Sequence, residues 1–306
     1  MNTRHAHLIL TILREGSFTA AAKALHITQP TLSQTVRQIE TQLGEAIFVR
    51  SHSTIQLTPA GELYATAARK FIQTETQLKE ALSMLHGRAE GTLRIGVTLH
   101  RSSELLPQIL ADFLNAYPAV RLEICEAHSA ALEQMLLHSE LDMALLSSEN
   151  HQPKLEYRQI ASEEIVLLAG KRTALARRIP SGSTIGLREA ERERFVLPTE
   201  NSPRRRYLDE LLSVCNFKPD AAVLCDSVET AKRACANSDL VMLCPFISLL
   251  CDAASMQKLA HYHLGTDAYF PPFYLAYPKE QPLAPYAETL FTQISNRFRA
   301  MTSYRI

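Results

Sequence analysis

The chain has 306 residues, enough for two or three domains, and its 46% hydrophobic and 21% charged residues are typical of a soluble globular protein. Its formal net charge of zero excludes a strongly basic protein that coats DNA through bulk charge. The longest apolar run, residues 240–251, is too short to span a bilayer, and the N-terminus lacks the pattern of a signal peptide. We therefore expect a cytoplasmic protein with no membrane contact.

The six cysteines include no C-x-x-C pair, and no histidine cluster accompanies them. We therefore expect no metal site and no cofactor. In a cytoplasmic protein any disulfide would be regulatory rather than structural.

Residues 1–58 predict a compact module of three helices followed by a hairpin. Ser17 and Thr28 are suited to begin the second and third helices, because each hydroxyl can accept a hydrogen bond from an N–H group of the first turn. The third helix has apolar residues at spacings of four, three and four, which form its buried stripe: Leu32, Val36, Ile39 and Leu43. A short turn between two such helices, with a polar opposite face on the second, predicts a helix-turn-helix that presents a recognition helix to the DNA major groove.

The predicted DNA-binding residues are the polar side chains of this recognition helix and the tip of the hairpin, which forms a wing. Amide, hydroxyl and guanidinium groups can bond base edges and phosphates, and an arginine or histidine in the wing can reach a phosphate or the minor groove. The predicted set is Thr28, Gln29, Pro30, Thr31, Ser33, Gln34, Arg37, Arg50, His52 and Ser53.

Residues 59–87 predict one long helix that opens with Pro59 in its first turn. Apolar or small residues recur at alternating steps of three and four, which is the spacing of a heptad stripe. Its partner is either another helix of the same chain or the same helix of a second copy. The dimerisation residues that we predict on this stripe are Tyr64, Ala67, Phe71, Leu78 and Leu85.

Residues 88–306 alternate between strand-like and helix-like segments, which predicts two α/β lobes with parallel sheets. Lobe I spans about residues 91–161 and 268–306, and lobe II spans about residues 162–267. Ligands of such folds bind beyond the carboxyl ends of the strands, so we expect a small-molecule effector between the lobes, and hydroxyls at a helix N-terminus suit an organic acid. The predicted effector-binding residues are Thr98, Leu99, His100, Arg101, Ser102, Ser129, Ser147, Thr199, Asn201 and Ser202. Residues 204–206, all arginine, are an alternative clamp for an acidic effector.

The N-terminal 62 residues resemble the LysR-type transcriptional regulators almost continuously. The matching motifs are Ser17-Phe18, Ala21-Ala22, Leu25, Gln29-Pro30, Ser33, Leu43-Gly44, Phe48-Val49-Arg50 and Leu57-Thr58-Pro59-Ala60-Gly61. The resemblance implies a winged helix-turn-helix, a dimerisation helix, and a periplasmic-binding-protein-like effector domain whose ligand lies near positions 98–102. It also implies a homodimer through the linker helix and pairing of two dimers into a homotetramer.

The sequence departs from the family pattern at two places. Gln34 stands where the family usually has arginine, so a basic contact is replaced by an amide. In the effector domain, Asn237 and Asp239 stand where the family usually has two glycines, and Asn237 can adopt the left-handed conformation that ends a helix.

Two alternatives remain at this point. One is a thiol sensor that uses Cys225 or Cys235, since Lys232 and Arg233 precede the second of these thiols. The other is a two-lobed binding protein or enzyme without a DNA function. The sequence shows no Ser-His-Asp set, metal cluster or phosphate loop, so we do not expect an enzyme.

Overall fold

The computed structural model describes residues 2–49, 55–85, 89–148, 151–249, 256–265 and 269–302. The chain divides into two compact units. The first comprises residues 1–94, 119–122 and 134–142, and the second comprises residues 95–118, 123–133 and 143–306.

The N-terminal module consists of helices α1 (Thr3–Glu15), α2 (Phe18–Ala24) and α3 (Gln29–Leu43). Asn2, Ser17 and Thr28 cap these helices, each accepting a hydrogen bond from a backbone N–H of the first turn. The predicted stripe is buried at Leu32, Val36 and Ile39, whereas Leu43 is 44% exposed at the end of α3. The predicted module and its caps are therefore present, with one residue of the stripe in solvent.

The turn between α2 and α3 is closed by two backbone hydrogen bonds. The N–H of His26 donates to the carbonyl of Lys23, and the N–H of Ile27 donates to the carbonyl of Ala22. His26 has a φ of 54°, the left-handed conformation that glycine usually supplies at this place. This tight ending sets the direction in which α3 leaves the turn.

A long helix, α4 (Pro59–Leu85), follows the wing. Thr58 begins it, because its hydroxyl accepts a hydrogen bond of 2.9 Å from the N–H of Gly61. A Cβ atom added at Gly61 would clash with the backbone oxygen of Ile47, so glycine is required where α4 meets the wing. Tyr64 and Ala68 of α4 are buried in the same core as α1 and α3.

The lobe I sheet has the strand order β2-β1-β3-β10-β4. Its strands are β1 (Glu90–Val97), β2 (Ala119–Glu126), β3 (Met143–Leu146), β4 (Leu155–Ser162) and β10 (Pro272–Pro278). Its helices are α5 (Leu99–Leu105), α6 (Pro107–Ala116), α7 (Ser129–Leu137) and α11 (Pro285–Thr302). The predicted return of the chain to lobe I at residues 273–277 is confirmed.

The lobe II sheet has the strand order β7-β6-β8-β5-β9. Its strands are β5 (Ile165–Gly170), β6 (Arg194–Leu197), β7 (Asp220–Leu224), β8 (Leu240–Pro245) and β9 (Leu259–Tyr262). Its helices are α8 (Ala174–Arg178), α9 (Pro203–Val214) and α10 (Val228–Asn237), with short 3₁₀ turns at Leu187–Ala190 and Phe246–Leu249. An apolar cluster lies on each side of this sheet.

The expectation of purely parallel sheets was wrong. In lobe I, β10 runs antiparallel to β3 and β4, and in lobe II, β5 runs antiparallel to β8 and β9. Each lobe therefore receives a strand from a crossover between the lobes, and a strand that arrives this way need not follow the direction of its neighbours. The helix predicted over residues 104–116 is divided into α5 and α6, because Pro107 supplies no N–H for the helix to continue.

Candidate functional site

Helix α3 presents a polar face opposite its buried stripe. Gln29, Pro30, Thr31, Gln34 and Arg37 are exposed, as expected of residues that meet DNA. Ser33 is half-buried, and its hydroxyl accepts a hydrogen bond of 3.0 Å from Gln29 Nε2. Thr28 serves first as the cap, since its hydroxyl accepts the N–H of Thr31 at 3.4 Å.

The wing is tied to α3 by a residue to which the sequence analysis gave no role. Glu40 Oε1 accepts hydrogen bonds from the N–H groups of Ile47, at 2.8 Å, and Phe48, at 3.3 Å. The two wing strands meet where Phe48 pairs with Leu57. The predicted wing contacts Arg50, His52 and Ser53 lie outside the described residues.

Helix α4 carries an apolar stripe in solvent. Leu63, Phe71, Leu78 and Leu82 are exposed, with Leu63 at 76% and Leu78 at 60%. The prediction for Tyr64 needs correction: its ring is buried in the core of the N-terminal module, and Leu63 takes its place at the start of the stripe. Ala67 is exposed on the same face, and the side chain of Leu85 is outside the described set.

In the second unit, Arg101 of α5 is the centre of a buried polar cluster. It is 5% exposed, and its guanidinium forms an ion pair with Glu163, which is 1% exposed. The guanidinium also donates to Ser147 Oγ at 3.1 Å and to Thr98 Oγ1 at 3.3 Å. The hydroxyl of Thr98 therefore holds Arg101 and makes no side-chain cap for α5.

The cluster lies where the chain crosses between the lobes. Glu163 follows β4 of lobe I, and its N–H donates to the carbonyl of Pro271 in the returning crossover. The Arg101 guanidinium lies 4.3 Å from the ring centroid of Phe273 on β10. Burial raises the pKa of Tyr207, at the start of α9 in lobe II, to about 12, and the charges of Arg101 and Glu163 both act on this phenol. Residues from both lobes therefore converge here.

Sequence reasoning found Thr98, Arg101, Ser102 and Ser147 but missed Glu163. One signal was available. Glu163 and Glu164 directly precede β5, whose residues are all buried, and acids next to a fully buried strand need partners.

The predicted lobe II residues are engaged within their own lobe. Thr199 donates its N–H to Asp226 at 3.0 Å and its hydroxyl to the same carboxylate at 2.8 Å. The Thr199 hydroxyl, followed by its N–H and the Ser202 side chain, holds the pKa of Asp226 below its usual range. Asn201 is exposed, and Ser202 is buried at the start of α9.

The proposed arginine clamp is also largely engaged. Arg204 donates to the carbonyl of Asp226 at 2.6 Å, and Arg205 forms an ion pair with Asp209 at 2.7 Å. Arg206 is exposed. Among the other predicted residues, Ser102 is buried, Ser129 begins α7 half-buried, and the side chains of Leu99 and His100 are outside the described set.

The thiol alternative finds no support at Cys235. This side chain is fully buried, and burial, followed by the neighbouring Cys244, raises its pKa to about 12. A thiol with so high a pKa is almost wholly protonated at neutral pH and is a poor nucleophile. Cys225 is half-buried, and its Sγ lies 3.5 Å from the carbonyl of Ser227.

Within the described part of the chain, no group of three or more His, Cys, Asp or Glu side chains is arranged to hold a metal ion. None of the helices in these ranges combines the length and apolar character that a bilayer crossing requires.

Comparison with protein families gives matches to both parts of the chain. Residues 3–62 match the bacterial regulatory helix-turn-helix proteins of the lysR family, and residues 86–299 match the LysR substrate binding domain. The uncharacterized HTH-type transcriptional regulator YcgK of Bacillus subtilis (strain 168) is 31% identical over 253 residues, which cover 76% of each chain. The HTH-type transcriptional regulator CfxR of Cupriavidus necator is 28% identical over 234 residues, covering 76% of this chain and 72% of CfxR.

Solved structures share the fold over nearly the whole length. A full-length single-substitution variant of OxyR from Pseudomonas aeruginosa matches with a TM-score of 0.75 at 22% identity, covering 96% of this chain and 98% of that chain. Full-length CbnR in complex with its target DNA matches with a TM-score of 0.65 at 19% identity, covering 97% and 99%. The predicted fold class, an N-terminal helix-turn-helix with a C-terminal two-sheet α/β effector domain, is confirmed. The chain belongs to the LysR family and is a DNA-binding transcriptional regulator with an effector-binding domain.

Proposed function

We propose that the protein reads operator DNA with the exposed face of α3 and alters transcription when a small molecule binds between its lobes. The observation that carries the DNA proposal is the pairing of a buried stripe with an exposed row of polar side chains at Gln29, Thr31, Gln34 and Arg37. Thr28 and Glu40 fix both ends of this face, the first as a cap and the second through the wing. A fixed polar face of this kind can bond base edges in the major groove.

Replacing Arg37 tests this proposal. Arg37→Ala should weaken operator binding about 5- to 100-fold and lower the salt dependence of binding, because one cationic contact per reader is removed. The measurement is fluorescence anisotropy with a labelled operator at several salt concentrations. The matched control is Arg192→Ala, which removes the same charge from an exposed position in lobe II. Equal affinities for the two variants would contradict the proposal.

We also propose that α4 pairs two copies of the chain. The support is the exposed stripe of Leu63, Phe71, Leu78 and Leu82, because four large apolar side chains on one helix face are costly to leave in water. Two readers on one dimer would contact two half-sites about one helical turn, or a multiple of one, apart. Pairing of two dimers into a homotetramer is the further assembly that we propose.

A charge in the stripe tests the dimer. Leu78→Glu should shift the protein toward monomer in sedimentation velocity and weaken operator binding, because two readers no longer act together. Thr76→Glu is the control, since it adds the same charge at an exposed position on the opposite face of α4. A dimer that survives Leu78→Glu at micromolar concentration would place the interface elsewhere.

The effector proposal rests on the cluster around Arg101, which both lobes approach. The predicted ligand contacts Thr98, Ser102 and Ser147 surround this residue along the chain or through hydrogen bonds. Calorimetry with the full-length protein, followed by operator binding with and without the bound molecule, tests whether occupancy at this place changes DNA binding. The small-molecule proposal fails if a saturating ligand leaves operator binding unchanged.

A further inference from the structure

The polar cluster between the lobes is electrically compensated before any ligand arrives. The one positive charge of Arg101 is paired with the negative charge of Glu163, and both side chains are at least nine-tenths buried. An anion entering this place would meet the Glu163 carboxylate together with the arginine. Because charges interact strongly where water is excluded, that repulsion is not screened.

Neighbouring cations of lobe II are compensated in the same way. Lys232 is 1% exposed and forms an ion pair of 2.8 Å with Glu229, and its Nζ donates to the carbonyl of Ser248 at 3.3 Å. The Nδ1 atom of His263 lies 3.0 Å from Glu164 Oε1. The positive charges that an organic acid would need are therefore already paired with carboxylates.

Three buried polar atoms at the junction have no hydrogen-bond partner among the described residues: Arg101 Nε, Glu163 Oε1 and Ser248 Oγ. Ser248 belongs to the 3₁₀ turn Phe246–Leu249, which contacts α5 of lobe I. Leaving a buried polar atom unpaired is costly, and more so when the group is charged. Two of these atoms are an N–H donor and a carboxylate acceptor on the two sides of one ion pair.

The surroundings of the pair are aromatic. Phe273 lies under the Arg101 guanidinium, and Tyr207 stacks on Tyr269 with ring centroids 6.1 Å apart. Since burial keeps the Tyr207 phenol protonated, its hydroxyl adds a donor but no negative charge. This environment suits a ligand with an apolar body and one compact polar group.

We propose that the effector bears no net negative charge and carries an N–H donor beside an oxygen acceptor, as in a primary amide or a zwitterionic amino acid. The N–H donates to Glu163 Oε1, and the acceptor oxygen receives the Arg101 Nε–H and the Ser248 hydroxyl. This inference rests on the proposed effector function and replaces the organic acid expected from the sequence.

The test compares molecules with one carbon skeleton and three polar groups. Isothermal titration of the full-length protein uses propanamide, alanine and propionate as one set, and phenylacetamide, phenylalanine and phenylacetate as the other. Within at least one set, the amide or the amino acid should bind at least tenfold more tightly than the acid. Tighter binding of the amide identifies a neutral effector, and tighter binding of the amino acid identifies a zwitterion.

Glu163→Gln inverts the expected preference. It removes the acceptor charge for the N–H and leaves Arg101 uncompensated, so the acid should gain at least tenfold in affinity relative to its amide. Glu210→Gln, which changes an exposed carboxylate on α9, should keep the wild-type order. Circular dichroism establishes whether each variant is folded.

Ser248→Ala supplies a second variant that does not depend on the ion pair. Without ligand its melting temperature should stay the same or rise, because a buried unpaired hydroxyl is removed. Its affinity for the preferred probe should fall at least threefold.

The outcomes separate the inference from the proposed function. Tighter binding of the acids by the wild-type protein overturns the inference and leaves the effector function standing. Unchanged preference in Glu163→Gln together with unchanged affinity in Ser248→Ala also overturns it. Binding of no probe from either set overturns both the inference and the effector arm of the proposed function, whereas the Arg37→Ala experiment still decides DNA binding.

Discussion

Arg37 on α3 and Arg101 on α5 show how differently the two units use an arginine. Arg37 is exposed, at the surface of a face whose neighbours are set by helix caps and the apolar stripe. Arg101 is buried and holds Glu163, Ser147 and Thr98, which come from distant parts of the chain. The exposed arginine is available for a partner at little structural cost, whereas the buried one is part of the fold that it serves. A binding face made locally can thus be changed without unfolding the module, but the cleft cannot.

The largest expected effect is in the cleft. Arg101→Ala should destabilise the protein by about 3–5 kcal/mol, because the buried carboxylate of Glu163 loses its partner. Thermal and urea unfolding measure this loss. Arg192→Ala, at an exposed site, should change stability by less than about 0.5 kcal/mol. If Arg101→Ala costs no more than this control, the contrast between the two arginines is wrong.

The reader has its own buried constraint at Gly61. Gly61→Ala should cost about 1–3 kcal/mol, because the new Cβ meets the Ile47 backbone oxygen and α4 must shift from the wing. Operator binding should weaken together with the melting temperature. Gly16→Ala is the control for backbone strain alone, since Gly16 has a φ of 62° but no atom within 4 Å of an added Cβ. Stabilisation by Gly61→Ala, through its better helix propensity, would contradict the close approach.

A smaller effect concerns Thr199, which was expected to bind the effector. Thr199→Val should lower the melting temperature by about 1–3 °C at neutral pH, because the Asp226 carboxylate loses a hydrogen bond. That bond lowers the pKa of Asp226 in the folded state from its ordinary 3.8, so the stabilisation is present above about pH 4 and is lost as the pH falls through the folded value. Melting curves from pH 3 to 7 should therefore converge at the acid end. A constant difference at all pH values would show that Asp226 is not involved.

The smallest effect lies in the turn of the reader. His26→Gly should stabilise the protein by about 0.5 kcal/mol, because glycine adopts the φ of 54° without strain, and the more flexible unfolded chain offsets part of the gain. Lys23→Gly in α2 should act in the opposite direction by about 1 kcal/mol. Chemical denaturation measures both. Destabilisation by His26→Gly would mean that the imidazole makes a contact that outweighs the strain.

How far the sequence could predict each site follows from the same contrast. Residues 28–37 of the reader lie within one helix and its cap, so spacing alone places them on one face. The stripe on α4 was placed one residue off at its start, because periodicity cannot tell whether Tyr64 turns toward its own module or toward solvent. In the cleft, Ser147 and Glu163 are 46 and 62 residues from Arg101, and their hydrogen bonds to it depend on how the sheets are assembled.

The sequence by itself determined the family, the winged reader and the two α/β lobes, because caps, helix periodicity and strand alternation are local properties of the chain. The tertiary structure decided that Arg101 is neutralised by Glu163, that Thr199 is held by Asp226, and that Leu63 rather than Tyr64 begins the exposed stripe. Those outcomes depend on which groups meet when distant segments pack. Burial then fixes whether a charge is free for a ligand or already paired.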